Sequence, residues 1–305
     1  MNQKQGVFLV ILTALISGFS IFINKWSVSK IEPYTFTFLK NTIVALFLLS
    51  LVFFTKELKI IKKITKKQWF QLIMIGLIGG SIPFLLFFKG LSLTSASMGS
   101  FIHKTLFIYA SIFAVIFLKE KIPKRLCFIA VFLLIGNFLL LKLTAFTFGK
   151  GEFFILIATL LWGIENILSK YALKELSGNI VAFGRMLFGS FFILLFIAFT
   201  NKLSLLAELN FNDVVWTVFT SLLLLLFVTT YYNGLKAIKV SVATSILLLG
   251  SPITTLLSFA FTNGTIDVIQ WVGILLNIIG IIAVIFFGEF TKKGTTLFRR
   301  HTHNG

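Results

Sequence analysis

Apolar residues in this chain come in long runs broken by short polar stretches, and the length of the runs decides what they form. A helix rising 1.5 Å per residue needs about 20 apolar residues to cross about 30 Å of hydrocarbon. Ten such runs occur, at residues 6–26, 33–55, 68–90, 94–117, 123–142, 150–171, 178–200, 213–235, 240–262 and 267–289. The connections are short, the longest being KELKIIKKITKK at 56–67. The pattern predicts an all-α integral membrane protein of ten transmembrane helices, with no soluble domain or linker.

The ten runs fall into two halves, 6–142 and 149–290, followed by a basic tail at 291–305. A shift of 145 residues aligns Gly6 with Gly151, Gly18 with Gly163, Lys25 with Lys170 and Lys40 with Arg185. A shift of 144 aligns Gly90-Leu91 with Gly234-Leu235 and Gly136 with Gly280. A duplicated five-helix unit explains these matches. Because five is odd, the second copy enters the membrane in the opposite sense, which makes an inverted repeat. Carriers built this way hold their sites between the repeats near the bilayer midplane.

Composition narrows the class. Apolar residues are 57% of the 305, charged residues 12%, and mean hydropathy is +0.99, where a soluble domain carries roughly a quarter charged residues. The net charge of +18 sits in short runs between apolar segments, so it reads as loop charge that sets topology, with no nucleic-acid partner implied. Cys127 is the one cysteine, which excludes a disulfide framework or a cysteine-rich metal site. The first apolar run is full length and lacks a small-residue cleavage site, so it is expected to stay as a span. With the N-terminus inside, 19 Lys and Arg fall in cytoplasmic segments and 6 outside. Cytoplasmic loops keep basic residues, so both termini are expected in the cytoplasm of a cell-membrane protein. Trp26, Trp69, Trp216 and Trp271 lie at run ends as interfacial anchors; only Trp162 lies within a run.

ALISGFSIFINKW and TLLWGIENILSKY share a first-helix pattern of a small residue, Trp-Gly, Asn and then Lys. FLKN and FGRM carry a basic residue in the second helix, KGLSLTSASMGS and NGLKAIKVSVAT join third to fourth, and FLKEKI closes the fourth with an acid. In these motifs each half resembles an EamA domain of the drug/metabolite transporter superfamily. The first copy departs at Ser17 and Ile21, which stand at the Trp and Asn positions, and at Phe107, which replaces the proline kept as Pro252. The second reads FTNGTI without the acid. The resemblance covers residues 6–289 and implies a carrier of small organic solutes, with the first four helices of each repeat around a central cavity and the fifth helices peripheral.

Ionisable groups inside a bilayer are costly and usually face a cavity or a partner. Glu165 lies in the sixth run about 9 Å from its cytoplasmic end, and Arg185 lies at similar depth in the seventh. The two read either as a salt bridge or as a cavity-facing acid beside a base. By the repeat, Glu165 maps onto Ser20 and Arg185 onto Lys40, so Lys40 lacks the matching carboxylate and either snorkels outward or meets a ligand. His103 and Lys104 sit near mid-depth of the fourth run. Lys104 shares a helical face with Ser97, Ser100 and Ser111, while Ser251 belongs to a stripe running from Ser241 to Thr262 in the ninth. Such stripes serve either close helix packing or a wet cavity. Asn24 lies on one face with Ser17 and Ser20, and Asn166 follows Glu165.

Candidate substrate-binding residues are therefore Lys104, His103, Lys40, Trp162, Glu165, Arg185, Asn24, Asn166, Ser100 and Ser251, with an apolar solute body packing on Trp162, Phe19, Phe84 or Phe87. The excess of cations favours a small-molecule substrate bearing a carboxylate or phosphate, such as an amino acid or other organic anion. No catalytic residues, metal or cofactor are expected. Glu165, His103 and Lys104 are the groups available for a coupling proton, and a monomer in the lipid bilayer suffices. The alternatives are an exporter of cations or lipophilic compounds, a non-transporting scaffold packed through the Gly273, Asn277, Gly280 stripe, and an integral-membrane enzyme, which would need clustered acids or histidines. Single cysteines at 89 and 202 are expected to react with impermeant reagents from outside, and those at 63 and 124 only after permeabilisation. The opposite labelling would reverse the orientation.

Overall fold

A computed structural model describes residues 1–140, 148–261 and 265–289; Lys142, Thr262 and the expected tail 291–305 lie outside the described residues. Fifteen α-helices are present among them: α1 Gln3–Ser27, α2 Pro33–Phe54, α3 Leu58–Ile61, α4 Lys66–Ile75, α5 Ile82–Leu93, α6 Ala96–Lys104, α7 Leu106–Leu118, α8 Lys124–Leu139, α9 Lys150–Ala172, α10 Gly178–Phe199, α11 Ser204–Ala207, α12 Phe211–Ala237, α13 Val240–Ile246, α14 Gly250–Phe261 and α15 Val268–Glu289. A π-helical turn, Gly76–Ser81, joins α4 to α5, and a 3₁₀ turn, Leu247–Leu249, joins α13 to α14. Helix starts follow local chemistry. Asn2 with Gln5, Thr65 with Gln68 and Asn210 with Asp213 form reciprocal capping boxes, satisfying N–H groups that the first helical turn leaves free.

Among the described residues nine helical spans are long and apolar enough to cross a membrane, with α4 to α5, α6 to α7 and α13 to α14 each counted as one interrupted span. The expected fifth span, 123–142, is described as α8, whose 16 residues rise about 24 Å.

Helices pair across the two halves. The first helix of each half packs on the third of the other, α1 on α12 and α9 on α5; α2 packs on α10, α6 on α14 and α8 on α15. The first two pairings come close enough to exclude a side chain. A Cβ added at Gly90 would lie 2.6 Å from the Gly151 carbonyl oxygen, and one at Gly234 would lie 3.0 Å from that of Gly6. In membranes, where lipid is as apolar as leucine, such backbone contact supplies the van der Waals energy of association. The ends match as well. Lys25 donates to Leu91 O at 3.0 Å, and Lys170 donates to Leu235 O and Ile238 O, each at 2.6 Å. Each half thus ties its first helix to the carbonyl end of its third.

The π turn has a chemical cause. Pro83 has no N–H, and its ring would clash with the carbonyl four residues back, which is Gly79. The ladder adjusts by one residue, with the Ile82 N–H reaching Leu77 O, and the Gly79 carbonyl is released for other donors. Both neighbouring glycines are spatially required. A Cβ at Gly79 would lie 2.2 Å from Glu165 Cγ, and one at Gly80 would lie 2.2 Å from Arg185 O. Gly79→Ala is therefore expected to destabilise by about 1–3 kcal/mol through overpacking, read as a lower apparent melting temperature in detergent. An unchanged value would mean that the turn does not hold Glu165 this closely.

Candidate functional site

A cavity lies among α1, α2, α5, α6, α7, α9, α10 and α12. Ring-rich walls with a few convergent polar groups are the usual form of a small-molecule site. Seven of its eighteen lining residues carry rings: Phe84, Phe87, Phe88, His103, Trp162, Phe227 and Tyr231. Ser17, Ser20, Asn24, Lys40, Glu165, Asn166 and Arg185 supply the polar groups.

The aromatic side of the cavity is organised by Trp162. Its ring meets those of Phe84, Phe87 and His103 at centroid distances of 5.5, 5.3 and 5.0 Å, all steeply inclined, the edge-to-face arrangement that ring quadrupoles favour. Its Nε1–H donates to the freed Gly79 carbonyl at 2.9 Å. Helix α12 adds Phe227 and Tyr231, near-parallel at 20°.

The inner polar side is a relay of buried groups. Arg185 donates through Nη2 to the same Gly79 oxygen at 3.0 Å, and through Nη1 to the Tyr232 hydroxyl at 2.9 Å. Tyr232 in turn donates to Glu165 Oε1 at 2.6 Å, and Ser169 Oγ donates to that same oxygen. Asn166 accepts from the Tyr231 hydroxyl and donates to Trp162 O. The expected salt bridge of Glu165 and Arg185 is thus not direct, because the Tyr232 hydroxyl stands between the charges. Two ions cost several kcal/mol each to bury and need every polar atom paired, and the tyrosine extends the pairing over a gap that the two side chains do not close.

At the opposite end of the chamber from Arg185, Lys40 is 1% exposed. Its Nζ donates to Asn24 Oδ1 at 2.6 Å and lies 5.1 and 5.4 Å from the ring centroids of Phe36 and Phe88. Asn24 is oriented by its own bond to Ser20 Oγ at 3.0 Å. Lys40 therefore does not snorkel. Lys40 is thus held by an amide and aromatic faces, without a carboxylate.

Lys104, Ser100 and Ser251 do not line the cavity. Lys104 is 2% exposed and donates to Ser17 Oγ at 2.6 Å, with its ammonium 3.0 Å from where a Cβ on Gly250 would sit. Ser100 and Ser251 are buried, and their hydroxyls have no partner. The fourth and ninth spans turn the face bearing Lys104 and Gly250 toward each other and toward α1. Helical periodicity tells which residues share a face, but not what that face meets. Phe19, half exposed at 47%, lies outside the cavity lining.

Sequence reasoning did not find Tyr231, Tyr232 or the Gly79 carbonyl. A signal for the tyrosines existed: Tyr232 is five residues from the end of α12 and Glu165 seven from the end of α9, so a hydroxyl stood at the depth of the two charges.

Fold and cavity together define a multi-pass membrane protein with a ring-lined chamber between its halves. Residues 4–142 and 149–286 match the EamA-like transporter family, and the chain belongs to that family. It is 26% identical over 301 residues to the riboflavin transporter ImpX of Fusobacterium nucleatum, covering 93% of this chain and 98% of that one. It is also 26% identical to the uncharacterized transporter YyaM of Bacillus subtilis, covering 88% and 91% respectively. A crystal structure with a TM-score of 0.76 at 14% identity covers 95% of this chain and 99% of that one, and shares the fold.

The relay predicts coupling between three side chains. Tyr232→Phe leaves Arg185 Nη1 and Glu165 Oε1 each one bond short, at a cost of about 1–3 kcal/mol for a buried group, visible as reduced melting temperature. Glu165→Gln and Arg185→Gln should each reduce folded yield, with the double variant recovering part of the loss through an interaction of about 0.5–3 kcal/mol. Strictly additive losses would break the relay into independent contacts.

Proposed function

We propose that this protein is a secondary carrier that moves a small organic solute bearing a carboxylate or phosphate across the cell membrane by alternating access. In this proposal ten helices form two inverted five-helix repeats, 6–142 and 149–290, both termini are cytoplasmic, and substrate enters the chamber lined by Lys40, Asn24, His103, Trp162, Glu165, Asn166 and Arg185. The observation that carries the anionic substrate is Lys40, a fully buried cation without an acidic partner in a cavity wall. An isolated buried charge is costly, and a solute anion compensates it only while bound. Arg185 supplies less, since Glu165 already balances it through Tyr232. A transmembrane gradient drives the cycle, and Glu165, His103 and Lys104 are the groups proposed to carry a coupling proton.

The halves also meet in a way suited to opening and closing. On one side Glu120, at the end of the fourth span, accepts from Val240 N at 2.8 Å and Ser241 Oγ at 2.7 Å, capping α13 at its positive end. On the other, Thr94 just before α6 donates to Glu152 of α9. In this reading each contact joins the two halves at one end of the bundle and breaks when the halves part on that side. A second substrate, a neutral one, is favoured by the ring-rich lining and by the name of the Fusobacterium relative, a riboflavin transporter.

Lys40→Met keeps the apolar stem and removes the charge, so the protein should fold normally in proteoliposomes yet lose saturable uptake of organic anions. Lys40→Arg should retain part of the uptake with altered selectivity, because a planar fork presents its donors differently from an ammonium. If Lys40→Met transports anions normally, the anionic substrate is wrong; if it transports only neutral solutes, and as well as the parent does, the neutral one takes its place.

A further inference from the structure

The chamber has a feature that its charges do not account for. Arg185 Nε and His103 Nδ1 belong to lining residues, are shielded from solvent and have no hydrogen-bond partner. The two terminal nitrogens of Arg185 are each committed, Nη1 to Tyr232 and Nη2 to Gly79, so the guanidinium is fixed in place and Nε is its one nitrogen without a partner. His103 is equally fixed, its ring set against Trp162 at 5.0 Å and Phe87 at 5.3 Å. Buried polar groups are nearly always paired in native proteins, and these two lie just behind the chamber surface, where a solute that shifts the wall slightly completes them.

The rings say what shape that ligand has. Phe84 meets Trp162 edge-on and Phe87 meets it tilted at 58°, and Arg185 Cζ lies 5.2 Å from the Phe84 centroid. Phe227 and Tyr231 lie near-parallel on a different helix. Rigid ring walls of this kind gain most from a flat aromatic partner, which both stacks and meets ring edges. A flat carbocycle would use the walls and leave the two nitrogens unpaired.

We infer that the substrate carries a planar heteroaromatic ring system, stacked in the chamber, whose edge offers a hydrogen-bond acceptor to Arg185 Nε and a polar ring atom to His103 Nδ1. This rests on the proposal that the chamber is the transport site, and it specifies the body of the solute independently of its charge. Lys40, about 10 Å below the outer end of α2, then meets whatever substituent extends from the ring, while Arg185 and His103 read the ring itself.

Binding to the full-length protein in lipid nanodiscs tests this with four matched probes, read by tryptophan quenching and melting temperature: quinoline-2-carboxylate, 2-naphthoate, the fully saturated decalin-2-carboxylate and quinoline-2-carboxamide. Both planar carboxylates are expected to bind about tenfold more tightly than the saturated one, the scale set by aromatic contacts, and quinoline-2-carboxylate more tightly than 2-naphthoate. His103→Phe keeps a ring and removes the nitrogens, so it should erase the preference of quinoline over naphthalene while keeping that of planar over saturated. Phe227→Leu, which removes a wall without breaking a hydrogen bond, should shrink the planar preference. Equal affinity for decalin-2-carboxylate, or binding of aliphatic acids with none of the four probes bound, overturns the inference, as does a quinoline preference that survives His103→Phe. If the carboxamide binds as tightly as the carboxylate while the planar preference holds, the anionic substrate fails and the ring inference stands.

Discussion

One backbone carbonyl holds the site together. Pro83 cannot donate to Gly79, so an oxygen that an ordinary helix would keep for itself faces the interior at mid-depth. In lipid no water is available to satisfy it. Trp162 and Arg185, from two helices of the second half, donate to it at 2.9 and 3.0 Å, and a helix of the first half thereby fixes the largest ring and the innermost cation of the chamber. The glycines on either side of the oxygen make the approach possible: Glu165 packs on Gly79, and the backbone of α10 on Gly80.

From that point the electrostatics follow. With the guanidinium anchored, Tyr232 has both a donor and an acceptor to satisfy, and it links Arg185 to Glu165 without bringing the two ions into contact. The Arg185 end of the chamber is thereby nearly neutral as a group. The Lys40 end is not. Repeat symmetry puts Lys40 where Arg185 stands, yet Ser20 occupies the place of Glu165, and Asn24 takes up the ammonium in its stead. An amide satisfies the hydrogen bond but leaves the charge, which gives the chamber a polarity from end to end that a symmetric duplication would not have.

The small-residue and lysine contacts that close the bundle are, by contrast, repeated in the two halves. Gly90 against Gly151 and Gly6 against Gly234 use equivalent positions, as do Lys25 and Lys170 at the helix ends. Packing contacts tolerate duplication because each is local to one helix pair. Two departures from symmetry, Trp162 against Ser17 and Glu165 against Ser20, lie in the chamber wall.

The sequence by itself determined the helical class and the positions of the apolar runs, because run length and helical rise are one-dimensional quantities. It also pointed to Lys40, Trp162, Glu165, Arg185, Asn24, Asn166 and His103, which the chamber brings together, since polar residues in lipid-length segments stand out against their neighbours. Tertiary structure decided the rest. Lys104, Ser100 and Ser251 sit on a polar face as periodicity said, but that face meets α1 and α14 and not the chamber, and only the packing of helices distant in sequence settles which face opens on a cavity. Tyr232 and the Gly79 carbonyl escaped notice for the same reason: a hydroxyl and a backbone oxygen carry no mark of their role until a guanidinium from another helix arrives beside them.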